Sequence, residues 1–414
     1  MNLEAEVDLV SVRTALKKIP LTNFLGMRYR TWQQERLIQS EQAFYEQAAE
    51  RARLSKDFSQ REVKEELSTR LMQRGLVLKP RPKGDLHILY ASRPGPWDAE
   101  ALLPALSVFG DVSTYFSTER GYAPENEASW GSERERMGRD FVAFVKEAHA
   151  RKPIDLLLTY FSGYDVQAFA IKEIGSLGVL TATFHLDDRL SFRGGRIRGD
   201  WTGPAAVCRA YDLNLTQAPE SLVKYRVEEG ISYLWPLAAD HHRYYPRETE
   251  FKYDVSFVGS AHGYRKPMIQ YLQKRGINVA TFGKGWPNGF ISASHIPEVF
   301  SASRINLSFD DISYSRYQCC KCRDFEIPMT GALMLSTHNP HLGLYFELGK
   351  EVFTFNTKEQ CVDQIHRLLA DEELCHEARR SVLKTARRQH SWEDRVAELL
   401  NVCGLLYPGL PKAL

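Results

Sequence analysis

The sequence predicts an α/β protein with two consecutive domains, each built on a doubly wound parallel sheet, and a helical extension ahead of them. Two series of short apolar runs alternate with helix-like stretches, one within residues 84–240 and one within residues 241–388. Runs such as Leu156-Leu157-Leu158 show no polar alternation, which is typical of strands buried on both faces of a parallel sheet. Because strands that alternate with helices form doubly wound sheets, we expect two such domains facing each other across a cleft.

The length and composition fit this organisation. The chain has 414 residues, enough for two domains plus an extension at roughly 100–200 residues per domain. Hydrophobic residues make up 43% and charged residues 26%, which excludes wholesale disorder. Lysine and arginine (54) nearly balance aspartate and glutamate (52), so bulk positive charge does not favour a nucleic acid, and we expect no such partner.

The sequence also carries indications of its compartment. No apolar run approaches the ~20 residues that span a bilayer, and the N-terminus lacks the basic start and apolar segment of a secretory signal. Seven cysteines, three of them at positions 319, 320 and 322, do not resemble a disulfide framework. They also lack a second pair at zinc-finger spacing, so we expect no structural zinc. We expect a protein of a reducing compartment, the cytoplasm.

Residues 1–83 show apolar residues at helical spacing instead of short apolar runs, and they predict the helical extension. Apolar residues recur near helical spacing across 32–48. A second helix is marked by Ser59 and Glu62 in a capping-box pattern and by Gly75 as a stop. The apolar faces of these helices suit self-association or a protein partner.

The strands of the two domains are predicted from the apolar runs. In the first domain these runs are 86–90, 111–116, 155–161, 179–185 and 213–217, and in the second they are 254–259, 278–283, 304–310, 332–337 and 351–355. The segments 358–371 and 373–388 suit helices. Residues 389–414 predict a closing helix, capped by Ser391 with Asp394 at the capping-box position, that crosses back to the first domain.

The stretch from 318 to 337 has the most specific pattern of charges. Lys321 and Arg323 can neutralise a diphosphate, the arginine through two parallel hydrogen bonds. Glu326 can accept hydrogen bonds from a vicinal ribose diol, as acidic residues do in dinucleotide folds. Amides at a nearby helix N-terminus would add attraction for phosphate. From these residues alone, a solvated ion-pair turn is an equally good interpretation.

The same stretch resembles the CgeB-like branch of the glycosyltransferases of group 1 type, which have two facing Rossmann-like domains (the GT-B architecture). That branch carries a pattern close to K-x-R-x-F-E-I/V-P-x-x-G, which runs here from Lys321 to Gly331. Cys320 and Cys322 are a departure, because smaller or aliphatic residues are more usual beside the lysine. The resemblance covers roughly residues 86–403. Further similar segments are 185–189, 253–260, 339–342, 345–351 and 390–395.

The resemblance implies transfer of a sugar from a nucleoside diphosphate sugar held mainly by the second domain. Glu326 would hold the ribose, while Lys321 and Arg323 would face the diphosphate. UDP is the default nucleotide on frequency alone. In this architecture side chains and helix ends usually neutralise the phosphates, so we expect neither a metal nor a cofactor besides the donor. The predicted donor-binding residues are Glu326, Arg323, Lys321, Gly259, Ser260, Arg265, Lys284 and Gly331.

Several of these positions have a second interpretation. Gly259 and Ser260 end a strand, where glycine lets the backbone approach a ligand. Arg265 follows at a predicted helix start as a phosphate contact, but it is equally well interpreted as a surface arginine. Lys284, between two glycines, suits a phosphate or base contact, although a plain turn is favoured. Asp310 and Asp311 are interpreted as caps or solvated acids rather than as a metal pair.

The catalytic prediction concerns the first domain. Transfer to a hydroxyl with inversion needs a general base within hydrogen-bond reach. Asp187, Asp188 and His185 follow a strand and face the predicted cleft, with either aspartate the first choice. The alternative is an aspartate pair that caps the next turn with Arg189 as its partner. If transfer retains configuration, no dedicated base is required.

Three functions remain open from the sequence. The main one is a glycosyltransferase whose acceptor is a glycan, a lipid-linked intermediate, a protein or a small metabolite. The second is a nucleotide-sugar epimerase of the same architecture. The third is a non-catalytic binding or scaffold protein that recruits a partner through its helical extension.

Overall fold

The fold is seen in a computed structural model, which describes residues 20–95, 97–122, 127–311 and 317–407. The start of the predicted extension (1–19) and the end of the predicted closing segment (408–414) lie outside the described residues. The architecture is α/β, with two parallel sheets and a helical extension, so the predicted fold class is confirmed.

The extension consists of a long helix, α1 (Pro20–Ala52), and a shorter one, α2 (Gln60–Gln73). The Ser59 hydroxyl accepts a hydrogen bond from the Glu62 amide at 3.3 Å and caps α2. Both helices pack on the first domain. Arg226 of that domain forms ion pairs with both Glu62 (3.8 Å) and Glu66 (3.3 Å) of α2.

The first domain is built on a parallel sheet in which the described residues form six strands in the order β2-β1-β3-β4-β7-β8. In this sheet the direction in which successive strands are added reverses between β1 and β3, and doubly wound sheets bind ligands at such a point. The strands are β1 (Leu86–Ser92), β2 (Gly110–Phe116), β3 (Leu156–Tyr160), β4 (Leu180–His185), β7 (Leu213–Thr216) and β8 (Ser232–Leu234), with a small hairpin of β5 (Arg196–Ile197) and β6 (Asp200–Trp201). The helices are α3 (Leu103–Ser107), which continues a π-helical turn, α4 (Glu127–Arg151), α5 (Ala168–Ser176) and α6 (Leu222–Val227).

The second domain repeats this arrangement with five parallel strands among the described residues, in the order β10-β9-β11-β12-β13. In this sheet the strand order reverses between β9 and β11. The strands are β9 (Tyr253–Val258), β10 (Val279–Phe282), β11 (Ser303–Ser308), β12 (Met334–Thr337) and β13 (Phe353–Phe355). The helices are α7 (Arg265–Lys274), α8 (Ile296–Ser301), α9 (Arg323–Met329), α10 (Lys358–Ala370) and α11 (Glu372–Gln389).

The closing helix α12 (Trp392–Val402) packs on the first domain. The Trp392 ring stacks on that of Trp97, with centroids 6.0 Å apart, and the Trp235 indole donates to the Arg395 carbonyl at 2.8 Å. Ser391 and Asp394 form a capping box at the start of the helix. None of the helices in the described ranges combines the length and apolar character that a bilayer span requires.

Candidate functional site

Two arginines converge at the carboxyl end of β9, beside the point where the second sheet changes direction. Arg323 Nη1 donates to the Val258 carbonyl at 3.0 Å, and Arg265 donates to the carbonyls of Ser260 (3.2 Å) and Phe309 (3.3 Å). Gly259 lies between them with φ +152°, and a Cβ there would lie 2.6 Å from Arg323 Nη1. Glycine is therefore favoured at this position by its backbone conformation, and a Cβ there would displace the Arg323 guanidinium.

The two arginines repel each other, and the hydrogen bonds of Arg323 are incomplete. Nε and Nη2 of Arg323 are buried and have no hydrogen-bond partner in the structure. Burial and the neighbouring charge of Arg323 lower the pKa of Arg265 to about 10. Two like charges with unsatisfied donors in a partly buried site attract an anion. The interpretation of Arg265 as a plain surface arginine does not hold.

Lys321 lies where the two domains meet. Its Nζ lies 2.7 Å from the Cys319 sulfur. Burial lowers the pKa of Lys321, but Cys319 and the carboxylates of Asp187 and Asp310 outweigh it, so the pKa is raised. Since Asp187 belongs to the first domain, the predicted donor and acceptor residues approach each other here.

Two buried carboxyl groups order the loop that leads into α9. The Ser308 hydroxyl contacts both Asp310 (3.2 Å) and Asp324 (2.8 Å), and the Asn339 amide donates to Asp310 at 3.1 Å. The Lys321 amide donates to Asp324 at 2.5 Å. Burial and the charge of Asp324 raise the pKa of Asp310 well above its usual value. These contacts make the pair an internal support for the loop.

Glu326 lies on the linker side of α9, against Tyr244. Burial raises the pKa of Glu326 to about 7, although the Tyr244 hydrogen bond and the charge of Arg323 oppose that shift. The carboxylate is therefore close to Arg323 but engaged by a linker tyrosine. Its role as the ribose ligand stays a prediction.

The remaining predicted donor residues fall into two groups. Ser260 accepts from Arg265, and Lys284 is an exposed residue whose carbonyl accepts from the Ala261 amide at 2.8 Å, so both lie on loops next to Gly259. Gly331 ends α9 instead, with φ +69°, and a Cβ there would contact Leu383 and Pro246. It lies at the opposite end of the helix from Arg323, so we correct its assignment to that of a helix stop.

A cavity of about 540 Å³ adjoins the arginine pair. It lies over the carboxyl ends of β11, β12 and β13. The sequence analysis missed this cavity; the polar residues that directly follow each strand were the signal. Its lining includes Tyr264, Arg265, Asp311, Gln318, His338 and Lys358.

A second cavity, of about 560 Å³, lies at the strand ends of the first domain. Arg93 forms an ion pair with Asp165 at 2.5 Å, and Asp165 also accepts from the amide of Ser162 at 2.9 Å. Arg93 is thus paired with a carboxylate in this cavity. Further lining residues are Tyr160, His185, Asp187, Asp188, Thr202 and Gly203.

The three predicted catalytic residues all line this cavity but differ in environment. Asp188 is buried, accepts from the Tyr225 hydroxyl at 2.8 Å, and has a pKa raised to about 6 by burial. His185 is buried with its Nε2 unpartnered, and burial lowers its pKa to about 3. Asp187 is exposed and faces Lys321. Arg189 pairs with Glu220 and donates to the Gln318 carbonyl, so the alternative of an aspartate pair partnered by Arg189 is wrong.

One group of metal-ligating type occurs among the described residues. Ligand atoms of His241, His242 and Glu393 lie within 4.8 Å of one another. The group lies where the linker meets the start of α12. It is not among the residues that line either of the two strand-end cavities.

The comparisons with known proteins agree with this geometry. Residues 265–401 match a family model described as "Glycosyl transferase-like". No curated protein matches the sequence. Sucrose-phosphate synthase from Thermosynechococcus elongatus is similar in structure, with a TM-score of 0.52, 12% identity, and coverage of 77% of this chain and 98% of that one. A glycosyltransferase from Rickettsia africae matches with a TM-score of 0.52, 10% identity, and coverage of 83% and 93%. At these identities the two structures show the fold, that of GT-B glycosyltransferases, and the family model supports the same class for the second domain.

Proposed function

We propose that the protein is a glycosyltransferase that moves a sugar from a nucleoside diphosphate sugar, bound by the second domain, to an acceptor in the cavity of the first. The observation that carries the proposal is the Arg265–Arg323 pair beside Gly259, with two buried donor nitrogens of Arg323 unpartnered. A diphosphate is the ligand that such a forked, doubly cationic site fits.

The donor would lie across the carboxyl ends of the second sheet. Arg265, Arg323 and Lys321 would neutralise the diphosphate, so the transfer would be metal-independent. The nucleoside would enter the cavity of about 540 Å³ next to Arg265. UDP is the nucleotide we propose first. The more specific resemblance to the CgeB-like branch and the cytoplasmic location stay predictions.

Asp187 is the residue we propose at the point of transfer, because it lines the acceptor cavity and faces Lys321 of the other domain. In an inverting reaction its carboxylate would take the proton of the acceptor hydroxyl. That oxygen would then attack the anomeric carbon while the diphosphate leaves toward the three cations. The neutral His185, with Nε2 unpartnered, suits a hydrogen bond that orients a sugar hydroxyl.

A donor and acceptor screen tests the proposal. The protein is titrated with UDP, GDP and dTDP, and the corresponding sugar donors are then supplied with and without glycan and small-molecule acceptors. We expect nucleotide binding, and release of nucleoside diphosphate that increases with the right acceptor. Conversion of the donor sugar alone would favour the epimerase, and failure of all three nucleotides to bind would contradict the proposal.

A further inference from the structure

The contact between Lys321 and Cys319 is unusually close. Lys321 Nζ lies 2.7 Å from Cys319 Sγ, whereas the Asn339 amide lies 3.6 Å from the sulfur of the adjacent Cys320. A nitrogen and an oxygen in an ordinary hydrogen bond are already about 2.9–3.0 Å apart, and sulfur is larger than oxygen. The separation suits two atoms joined through one bridging oxygen better than it suits a hydrogen bond.

We propose that Cys319 and Lys321 form a redox switch, in which peroxide closes a covalent bridge that joins Lys321 Nζ to Cys319 Sγ through a single oxygen atom. The bridge would form reversibly, and it would engage Nζ of Lys321, the lysine that faces the first domain.

The loop holds the two reacting atoms in place. The Cys319 amide donates to the Asp310 carbonyl at 3.1 Å, and the Lys321 amide donates to the Asp324 carboxylate at 2.5 Å. Cys319 is only 3% exposed, and the lysine side chain is also largely shielded. Because the Cys319 backbone is held by the main chain of Asp310 and the Lys321 backbone by the side chain of Asp324, the two residues lose little conformational freedom when the bridge closes.

The chemistry balances with a peroxide as the oxidant. One peroxide oxidises the Cys319 thiolate to a sulfenic acid and is reduced to water. A second oxidises the Lys321 amine to a hydroxylamine, with release of another water. The hydroxylamine oxygen then attacks the sulfenyl sulfur, an S–O bond forms, and the sulfenic oxygen leaves as water. A dithiol in excess reverses the process and returns the thiol, the amine and one water.

The surroundings set the pH dependence of closure. Burial raises the pKa of the Cys319 thiol to about 11, with Asp187 and Asp310 adding to the rise and Lys321 opposing it. The pKa of Lys321 is raised as well. Because the reaction needs the thiolate and the free amine, bridge formation accelerates as pH increases.

The consequence for ligand binding depends on the proposed function. A bridged nitrogen carries no ammonium charge at neutral pH, so the diphosphate would lose one of its three cations. We expect UDP affinity to decrease about tenfold on oxidation and to recover on reduction, the scale of one charge-assisted contact.

Mass spectrometry of the full-length protein tests the bridge itself. After peroxide treatment at mildly alkaline pH, the bridge adds about 14 Da, one oxygen less two hydrogens, whereas a sulfenic acid adds about 16 Da. Trypsin should no longer cleave after Lys321, and dithiothreitol should remove both effects. Cys319→Ser and Lys321→Met should abolish the 14 Da product, and Cys320→Ser, the matched control one position away, should retain it.

Three results would overturn the bridge: an unchanged mass, a loss of about 2 Da that disappears in Cys320→Ser and so reports a disulfide, or a product that persists in Lys321→Met. UDP titration separates the bridge from the proposed function. A confirmed bridge with unchanged UDP affinity would support the covalent chemistry and contradict a role for Lys321 at the diphosphate.

Discussion

The two domains share a strand order but treat charge in opposite ways at their strand ends. In the first domain Arg93 is paired with Asp165, His185 is neutral, and the buried Lys224 is paired with Glu41 of α1 at 3.1 Å. In the second domain Arg265 and Arg323 lie together with donor nitrogens of Arg323 left unsatisfied.

This difference indicates that the fold determines where a site lies, whereas the charges at the site determine which class of ligand it binds. In the cavity of the first domain Arg93 is paired, and the exposed Asp187 carboxylate repels an anion but can accept a proton, so this cavity suits a neutral, hydroxyl-bearing acceptor. In the second domain two buried donor nitrogens of Arg323 lack a partner although carboxylates lie nearby, so an anion that accepts hydrogen bonds from them is stabilising.

Asp187→Asn should have the largest effect, because it removes the proposed base at the meeting point of the domains. We expect turnover to decrease about 10²–10⁴-fold with little change in nucleotide affinity. Steady-state kinetics with the acceptor found in the screen provides the measurement. Asp188→Asn is the matched control, since its carboxylate is engaged by Tyr225; equal losses of turnover in the two variants would contradict the assignment.

Glu41→Ala tests compensation in the first domain. Lys224 has a side chain 0% exposed, so loss of its partner leaves a buried charge unpaired. The Glu41 carboxylate also accepts from the amides of Phe192 and Arg193. We expect the free energy of unfolding to decrease by about 3–5 kcal/mol, measured by chemical denaturation.

The control for this change lies on the same helix. Glu46 is exposed, and Glu46→Ala should alter the free energy of unfolding by about 0.5 kcal/mol or less. A loss in Glu41→Ala that is no larger than in this control would show that α1 does not compensate Lys224.

Arg323→Leu should affect ligand binding more than stability in the second domain. The change relieves repulsion with Arg265 but removes a cation beside the buried Asp310, Asp324 and Glu326, so we expect a smaller loss of the free energy of unfolding than in Glu41→Ala, while UDP affinity decreases about 10–100-fold. Calorimetric titration and chemical denaturation measure the two effects. Arg275→Leu, at an exposed position of the same domain, should change neither; a destabilised Arg323→Leu with intact UDP affinity would contradict the proposed anion site.

The smallest expected effect is a dependence of UDP affinity on pH, caused by ionisation of Glu326. Its pKa is raised to about 7, so the carboxylate fraction, which a ribose diol requires, increases as pH rises from about 6 to about 8. UDP affinity should increase up to about tenfold over this range. Glu326→Gln separates this from titration of the nucleotide phosphate: an identical pH profile in that variant, or an unchanged affinity in Glu326→Ala, would remove the ribose role.

The raised pKa of Glu326 also determines how the free energy of unfolding changes with pH. Because the folded-state pKa of Glu326 lies above its ordinary value, the protonated form stabilises the fold. That contribution is present in full at acidic pH and is lost as pH rises from about 4.5 to about 7.

The sequence was sufficient to predict the fold class, because continuous apolar runs and caps are local signals. Ser59 and Ser391, for example, cap their helices as the residue patterns indicate. It was not sufficient for residues whose environment is made by distant segments. The engagement of Glu326 by Tyr244 and the burial of Asp188 against Tyr225 depend on residues 82 and 37 positions away, which no local pattern reports.

The most direct test of the central claim is a crystal structure of the protein with UDP. We expect phosphate oxygens within hydrogen-bond distance of Arg323 Nε or Nη2 and of Arg265, above Gly259. Nucleotide bound elsewhere, with the two guanidinium groups still facing each other without an anion, would contradict it.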